Sequence, residues 1–361
     1  MTRPQLTEGP LSPAQAGLVA ELAAAARRAD GVAPLSEHAL LHVQHPAGRS
    51  TDDKADELAA RDLLLIIDET AVGYAHLDAP EDKNENEGDL SGELVVHPAY
   101  RRRGHASTLI SALAAGPSGC GIRLWAHGDL PAAAGLARAT GFTRVRSLWQ
   151  MRKALTSADA SPATPGSPAT PGTPGIPEPS FPSGVTVRAF VPGKDEEAWL
   201  ELNARAFAHH PEQGTWTRAD LELREAEPWF DPAGFFLAER DGQLAGFHWT
   251  KVHAQGPDST PGNPVPEGEV YVVGVDPGRQ GGGLGRALTL AGLHYLAERG
   301  LGHVMLYVDE ENTAATRLYA ALGFTRSSTD VMYRRALPQV TGQERLPAAR
   351  LLPGRRQAPS G

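Results

Sequence analysis

VVGVDPGRQGGGLGRAL, residues 272–288, runs from an apolar, strand-like stretch through five glycines in eight residues into an Ala/Leu-rich segment. Pro277 stops the strand and a helix is expected to begin near Leu284, which leaves GRQGGG between them. Glycines at such a place let the backbone come close to a ligand. The helix start turns unpaired N–H groups toward it, and together these favour a phosphate or pyrophosphate. A glycine cluster alone is also what a tight turn requires. Two common phosphate motifs are excluded by the surroundings. A P-loop needs Lys and Ser/Thr after its last glycine, whereas Arg286 and Ala287 follow Gly285. A dinucleotide-binding turn belongs at the first strand of a parallel unit, whereas this loop follows the third strand of its block, after a hairpin.

The same outline occurs earlier in LVVHPAYRRRGHASTLI (94–110), with Pro98 for Pro277 and Gly104 for Gly283. LLLIIDETAVGYAHL (63–77) matches FFLAERDGQLAGFHW (235–249), and both read as hairpins. LARATGFTRV (136–145) matches LYAALGFTRS (318–327), a helix stopped by glycine and followed by a strand. Each block therefore orders as helix, hairpin, third strand, glycine loop, helix, strand, helix and strand. That is an α/β (α+β) mixed sheet with helices on its faces, repeated as two tandem domains. The expected boundaries are 1–153 and 185–336. Between them, 154–184 is rich in Pro, Ala, Thr and Gly and reads as a disordered linker, while 337–361 reads as a tail.

Composition narrows the function classes. A chain of 361 residues with 41% apolar content can bury a core in each block. No apolar run approaches the ~18–20 residues that span a bilayer, and the N-terminus has no apolar signal core, so a cytoplasmic protein without membrane contact is expected. A net charge of −9 argues against nucleic acid as a partner. The single cysteine, Cys120, excludes an intrachain disulfide and a cysteine metal cage. The adjacent His209 and His210 point in different directions, and no metal is expected. The partner class left is a small molecule held by local donors, with the chain a monomer.

The pattern Gln/Arg-x-x-Gly-x-Gly/Ala, after a strand and opening a helix, resembles the pyrophosphate loop of the GNAT N-acetyltransferases, which take acetyl-CoA. Gln280, Gly283 and Gly285 fill it in the second block, and Arg101, Gly104 and Ala106 in the first. About 30 residues on, NTAATRLYAALGF (312–324) resembles that superfamily's segment in which an Asn and a helix precede Leu-Tyr-x-x-x-Gly-Phe. The resemblance implies acetyl-CoA as acetyl donor. Backbone groups of Gln280, Gly281, Gly282, Gly283, Leu284, Gly285 and Arg286 would cradle its pyrophosphate. Val273, Gly274 and Val275, on a strand splayed from its neighbour, would line the pantetheine arm. Asn312, Thr313, Ala314, Ala315, Thr316 and Arg317 would border the thioester end. The first-block equivalents are Leu94, Val95, Val96, Arg102, Arg103, Gly104, His105, Ala106 and Ser107.

Acetyl transfer to an amine needs a neutral amine, an oxyanion donor and a proton for the departing thiolate. Glu269 starts the motif strand, six residues before Val275, where the superfamily often places its base. Tyr319 stands where a tyrosine hydroxyl can protonate the thiolate, and the backbone N–H near Val273 is the expected oxyanion donor. A solvated strand start and a packed helix aromatic are the plain alternatives for the two side chains. The first block serves as an internal control. Aligning the loops puts Leu90 opposite Glu269, and aligning the GFT segments puts Ala137 opposite Tyr319, so the first block is expected not to catalyse. Glu93 lies three residues along, but an odd strand shift would turn its side chain to the other face.

A tandem pair with its catalytic features in the second copy resembles the N-acetyltransferases that act on the cysteinyl amine of a cysteine-glucosamine-inositol pseudodisaccharide. The resemblance rests on AFAHHPEQGTWT (206–217), FHWTKVH (247–253), GEVYVVGVDP (268–277) and LYVDEENTAATRLYAALGF (306–324). It implies that Glu212, Lys251, Glu269 and Tyr307 contact the acceptor, with Glu37 reaching it from the first block. Charged donors and acceptors suit a polyhydroxylated ligand, although Lys251 and Glu212 also read as surface residues. Asp78 occupies the first-block position of Lys251. Another amine, on an aminoglycoside or a protein N-terminus, stays open as acceptor, as does a non-catalytic acetyl-CoA-binding module.

Overall fold

The computed structural model describes residues 3–44, 61–78, 89–115, 121–155, 175–208, 210, 213–256, 258–259 and 263–336. The first half runs β1 (Gln5–Glu8), α1 (Pro13–Asp30), α2 (Glu37–Gln44), β2 (Arg61–Ile67), β3 (Thr70–Leu77), β4 (Leu90–Val96), α3 (His105–Ala114), β5 (Ile122–Ala126), α4 (Pro131–Ala139) and β6 (Thr143–Ala154). The second runs β7 (Val185–Ala189), α5 (Glu196–Ala206), α6 (Arg218–Glu225), β8 (Phe235–Arg240), β9 (Gln243–His253), β10 (Glu267–Val275), α7 (Leu284–Glu298), β11 (His303–Asp309), α8 (Thr313–Ala321) and β12 (Thr325–Arg335). The repeated outline is present in both halves. Four elements lie outside it: the edge strands β1 and β7 and the short helices α2 and α6.

Local chemistry sets the ends of these elements. Ser12 and Gln15 form a capping box at the start of α1, and Gly31, at φ 75°, ends it. Thr217 and Asp220 do the same at the start of α6. The tight connection between β8 and β9 takes Asp241 and Gly242 at positive φ, as the twist of a hairpin demands.

The twelve strands of the described residues form one sheet in the order β1-β2-β3-β4-β5-β12-β6-β11-β10-β9-β8-β7. The last strands of the two halves have changed places. β12 lies antiparallel between β5 and β6, and β6 lies antiparallel between β12 and β11. Each half is thus completed by the other's final strand. On one face α1 and α2 cover Leu64, Tyr74 and Val95, and α5 and α6 cover Phe235, Phe247 and Trp249. On the opposite face α3 and α4 cover Leu63, Leu65 and Val72, and α7 and α8 cover Val270, Val304 and Leu306.

The ends of the stretch read as linker are packed. Leu155 and Ile176 are buried in the second-half core, and Phe181 packs beside Leu284 and Leu288. Residues 156–174, Cys120 and the tail from 337 lie outside the described residues.

Candidate active site

β10 is held by β9 along its whole length but by β11 only at Gly268–Val270, against Val304–Leu306. From Val272 onward the two parallel strands part, so Val273, Gly274 and Val275 border a gap on the β11 side. The expected splay is therefore present. Gly274 is required by close approach: a Cβ there would stand 2.5 Å from Phe247 Cε1 and 3.2 Å from Ala206 Cβ. Past the gap, Gly281, Gly282 and Gly283 all have positive φ (89°, 64° and 85°), and Gly283, the N-cap of α7, leaves the helix without a side-chain cap. The N–H groups of the first turn of α7 are thus turned outward in a bare, anion-ready arrangement. No Cβ obstructs it. Asn312 caps α8, its side chain accepting the Ala315 N–H at 3.1 Å.

The first copy keeps the scaffold with different chemistry. β4 and β5 pair only from Leu90 to Glu93, so Leu94, Val95 and Val96 border a matching gap. Gly104 and Arg102 have positive φ (86° and 63°). The side chain that fills the first motif position, Arg101, is engaged elsewhere. Its guanidinium donates to both oxygens of Asp30, at 2.7 and 2.6 Å, and to the Val96 carbonyl at 3.2 Å. It fastens the loop to the end of α1.

The acceptor-side groups converge on the face covered by α5 and α6. Lys251 and Glu269 are cross-strand partners on β9 and β10, and both are buried. The Lys251 ammonium sits 4.2 Å over the Trp229 ring and 4.9 Å over Tyr271, and hydrogen-bonds the Glu37 carboxylate delivered by α2 of the other half. Tyr271 donates its hydroxyl to the second Glu37 oxygen at 2.9 Å, and Arg224 Nε donates to that hydroxyl at 2.9 Å. Burial alone would raise the Glu37 carboxyl, but the Lys251 charge and these hydrogen bonds hold it below the usual carboxylate range. Glu269 Oε2 lies 2.7 Å from His253 Nε2. Tyr307, on β11, is 45% exposed, and its hydroxyl accepts from Gln150 Nε2 of β6 at 3.3 Å. Both halves therefore contribute side chains.

Tyr319 lies on the other side of the sheet. It is packed in the α7–α8 core against Phe324, and burial pushes its hydroxyl up to about 12. Glu269 and Tyr319 can act on one molecule only through the gap between β10 and β11. Of the expected acceptor contacts, Glu37, Lys251, Glu269 and Tyr307 share one face. Glu212 and His209 lie outside the described residues, and His210 Nε2 is 2.9 Å from an Arg146 guanidinium nitrogen.

The register corrects two alignments. β10 carries a bulge at Tyr271 that β4 lacks. Counting back from Val96 and Val275, the first-half counterpart of Glu269 is Ser91, not Leu90. Ser91 still offers no carboxylate. Glu93 corresponds to Val272 and faces the α2 side, because the extra residue restores the face that an odd shift would have reversed. There Glu93 is buried, accepts the Ser36 N–H at 2.7 Å and stands 3.7 Å from His127 Nε2. It serves as a structural anchor. The residue-level reading missed Tyr271, Arg224, Trp229, His253 and Gln150. Only His253 carried a signal, by its two-residue spacing from Lys251 on a strand.

Comparison with known proteins gives a consistent result. Residues 197–324 match the Acetyltransferase (GNAT) family and residues 60–144 match the Acetyltransferase (GNAT) domain. The mycothiol acetyltransferase of Thermobispora bispora is 55% identical over 326 residues, covering 90% of this chain and 97% of that protein. That of Thermomonospora curvata is 54% identical, covering 91% and 96%. Among solved structures, a GCN5-related N-acetyltransferase from Sphaerobacter thermophilus aligns with a TM-score of 0.58 at 26% identity, over 93% of this chain and 97% of that one. A tandem GNAT protein from the clavulanic acid biosynthesis pathway aligns with a TM-score of 0.61 at 21% identity, over 92% and 98%.

Proposed function

The chain belongs to the mycothiol acetyltransferase family of the GNAT acyltransferases, and we propose that it transfers acetyl from acetyl-CoA to the cysteinyl amine of cysteine-glucosamine-inositol, giving mycothiol and CoA. The observation that carries the residue assignments is the convergence of Glu37, Lys251, Glu269 and Tyr307 on one sheet face at the mouth of the β10–β11 gap.

The CoA pyrophosphate is held by the N–H groups of Gln280 to Arg286 at the start of α7, and the pantetheine arm lies along Val273–Val275. A cysteinyl α-amine has an ordinary pKa of about 7.7–8, so Glu269 can take its proton near neutrality, with His253 fixing the carboxylate. The backbone N–H near Val273 stabilises the oxyanion. Tyr319 holds its proton more tightly than a thiol of pKa about 8.5 holds its own, so its first contribution is a hydrogen bond to the developing thiolate. Lys251 and Glu37 bind the hydroxyl-rich part of the acceptor by exchanging their mutual hydrogen bond for bonds to it. One chain suffices, because both halves supply the site, and the monomer is the active species. Among the described residues no helix is long and apolar enough to cross a membrane, and we place the reaction in the cytoplasm.

Incubation with acetyl-CoA and the cysteine-glucosamine-inositol acceptor, followed by chromatography, tests the reading. Equimolar CoA and N-acetylated product are expected. Acetyl-CoA hydrolysis at background rate with that acceptor, alongside turnover of an aminoglycoside or peptide amine, would replace it.

A further inference from the structure

We propose that the first half binds a zinc ion between α2 and β3, through His38, His42, His76 and Asp78. His38 and His42 are four residues apart on α2 and so share a helix face, while His76 on β3 and Asp78, one residue past its end, both turn toward α2, where Asp78 meets His38. One ligand atom from each of the four lies within 4.8 Å of all the others. His38 Nε2 is 2.8 Å and His76 Nε2 is 2.9 Å from the same oxygen, Asp78 Oδ1. The His42 ring stands 4.5 Å from His38 and 5.1 Å from His76, centroid to centroid. Zinc bonds of about 2.0–2.1 Å place tetrahedral donors roughly 3.3 Å apart, a spacing that lies between the 2.8 Å separation of His38 and Asp78 and the 4.8 Å limit within which all four donors fall.

The donor set selects the metal class. Three imidazoles and one carboxylate suit zinc, whereas calcium and magnesium take oxygen ligands throughout. A second, independent observation concerns the far side of His76. That ring is 1% exposed, and its other nitrogen, Nδ1, is 3.0 Å from Asp62 Oδ1, which also accepts the Tyr74 hydroxyl at 2.6 Å. A buried carboxylate behind a histidine is the arrangement that fixes ring orientation for a metal ligand, leaving Nε2 aimed at the ion. A plain hydrogen-bonded cluster accounts for His38, His76 and the two aspartates, but gives no role to His42, a third imidazole at ring contact with the other two. His38 and Asp78 are 41% and 25% exposed in their side chains, which gives the ion a way in.

The site would clamp α2 onto its own sheet. Glu37, one residue before His38, is the group α2 sends across the cleft to Lys251 and Tyr271. Four protein ligands leave no open position, so the ion's role is structural. The inference does not depend on which amine is acetylated.

The test uses the untagged full chain, stripped with a chelator and titrated with Co²⁺ and then Zn²⁺. One ion per chain is expected, with the intense visible bands of tetrahedral cobalt, bleached on zinc addition. His42→Ala and His38→Ala should each lose at least a hundredfold in zinc affinity, and Asp62→Asn ten- to a hundredfold through the outer shell. The His38 variant changes an exposed side chain, so it keeps the test sound if the His42 variant misfolds. His253→Ala should bind zinc as the wild type does. Absence of a tetrahedral cobalt spectrum, or zinc binding that survives both histidine substitutions, would overturn the proposal.

Discussion

At the residue scale the two proton carriers are separated by the sheet itself, with Glu269 beside Lys251 on one face and Tyr319 packed under α8 on the other. Their roles are therefore separable. Glu269→Gln should lower kcat by about 10²–10⁴-fold, the usual range for a lost general base, with little change in the KM for acetyl-CoA. Tyr319→Phe removes one donor to a developing charge and should cost about 10²-fold. Steady-state kinetics with both substrates varied decides the matter, and near wild-type turnover in both variants would refute the assignment. Lys251 has a different signature. Lys251→Met leaves the partly buried Glu37 carboxylate without its cation and should cost about 1–3 kcal/mol of stability in urea denaturation. It should also raise the acceptor KM at least tenfold. Adding Glu37→Gln should recover much of the stability and none of the KM, since the buried charge is gone but the acceptor contacts are too.

At the element scale the glycine loop shows what a sequence can reveal. Three consecutive positive-φ glycines, a strand stopped by Pro277 and an uncapped helix start are local features, and local features are written in adjacent residues. The first-half loop was legible for the same reason. The bulge at Tyr271 was not, because an added residue in VYVVGV leaves the run apolar throughout and marks no break in alternation. That one residue moved the counterpart of Glu269 from Leu90 to Ser91 and turned Glu93 inward. The eight-residue helices α2 and α6 are too short for a clear period, although the Thr217–Asp220 capping box was a signal for α6. The loops themselves can be told apart by experiment. Gly283→Val and Gly104→Val each force a branched side chain to a φ near 85°, at a cost of about 1–2 kcal/mol. Only Gly283→Val should raise the KM for acetyl-CoA in turnover. An equal rise in Gly104→Val would make the first loop a participant in the reaction.

At the scale of the whole molecule, the exchanged strands tie the halves into one unit, and a short-range reading could not assign them. TRVRSLWQMRKA and TRSSTDVMYRR are both amphipathic final strands, and nothing in either says which sheet it will join. Side chains seal the choice. Asp89 of the first half accepts from Arg334 of β12 at 2.5 Å, and Asp309 of β11 accepts from Arg146 of β6 at 2.5 Å. A third seal is His127, whose Nδ1 is 2.9 Å from Asp330 of β12 and whose Nε2 faces Glu93 at 3.7 Å. Asp330 also accepts the Gly128 N–H at 2.9 Å.

Burial alone would lower the His127 pKa, but the two carboxylates outweigh it and raise it from 6.5 to about 10. A folded-state pKa above the unfolded value means a stabilisation fully present below about pH 6.5, where the unfolded chain holds the proton as well. It is lost progressively as pH rises through about 10. Between those limits the unfolded state binds fewer protons than the folded one, so stability should fall by at most about 1.4 kcal/mol per pH unit from this group. Urea unfolding of the wild type and of His127→Gln from pH 6 to 9.5 isolates this contribution. The variant should be less stable at pH 6, and the difference between the two proteins should shrink steadily toward pH 9.5. A difference that stays constant across that range would mean that the ionisation of His127 does not help hold β12 in the sheet of the other half.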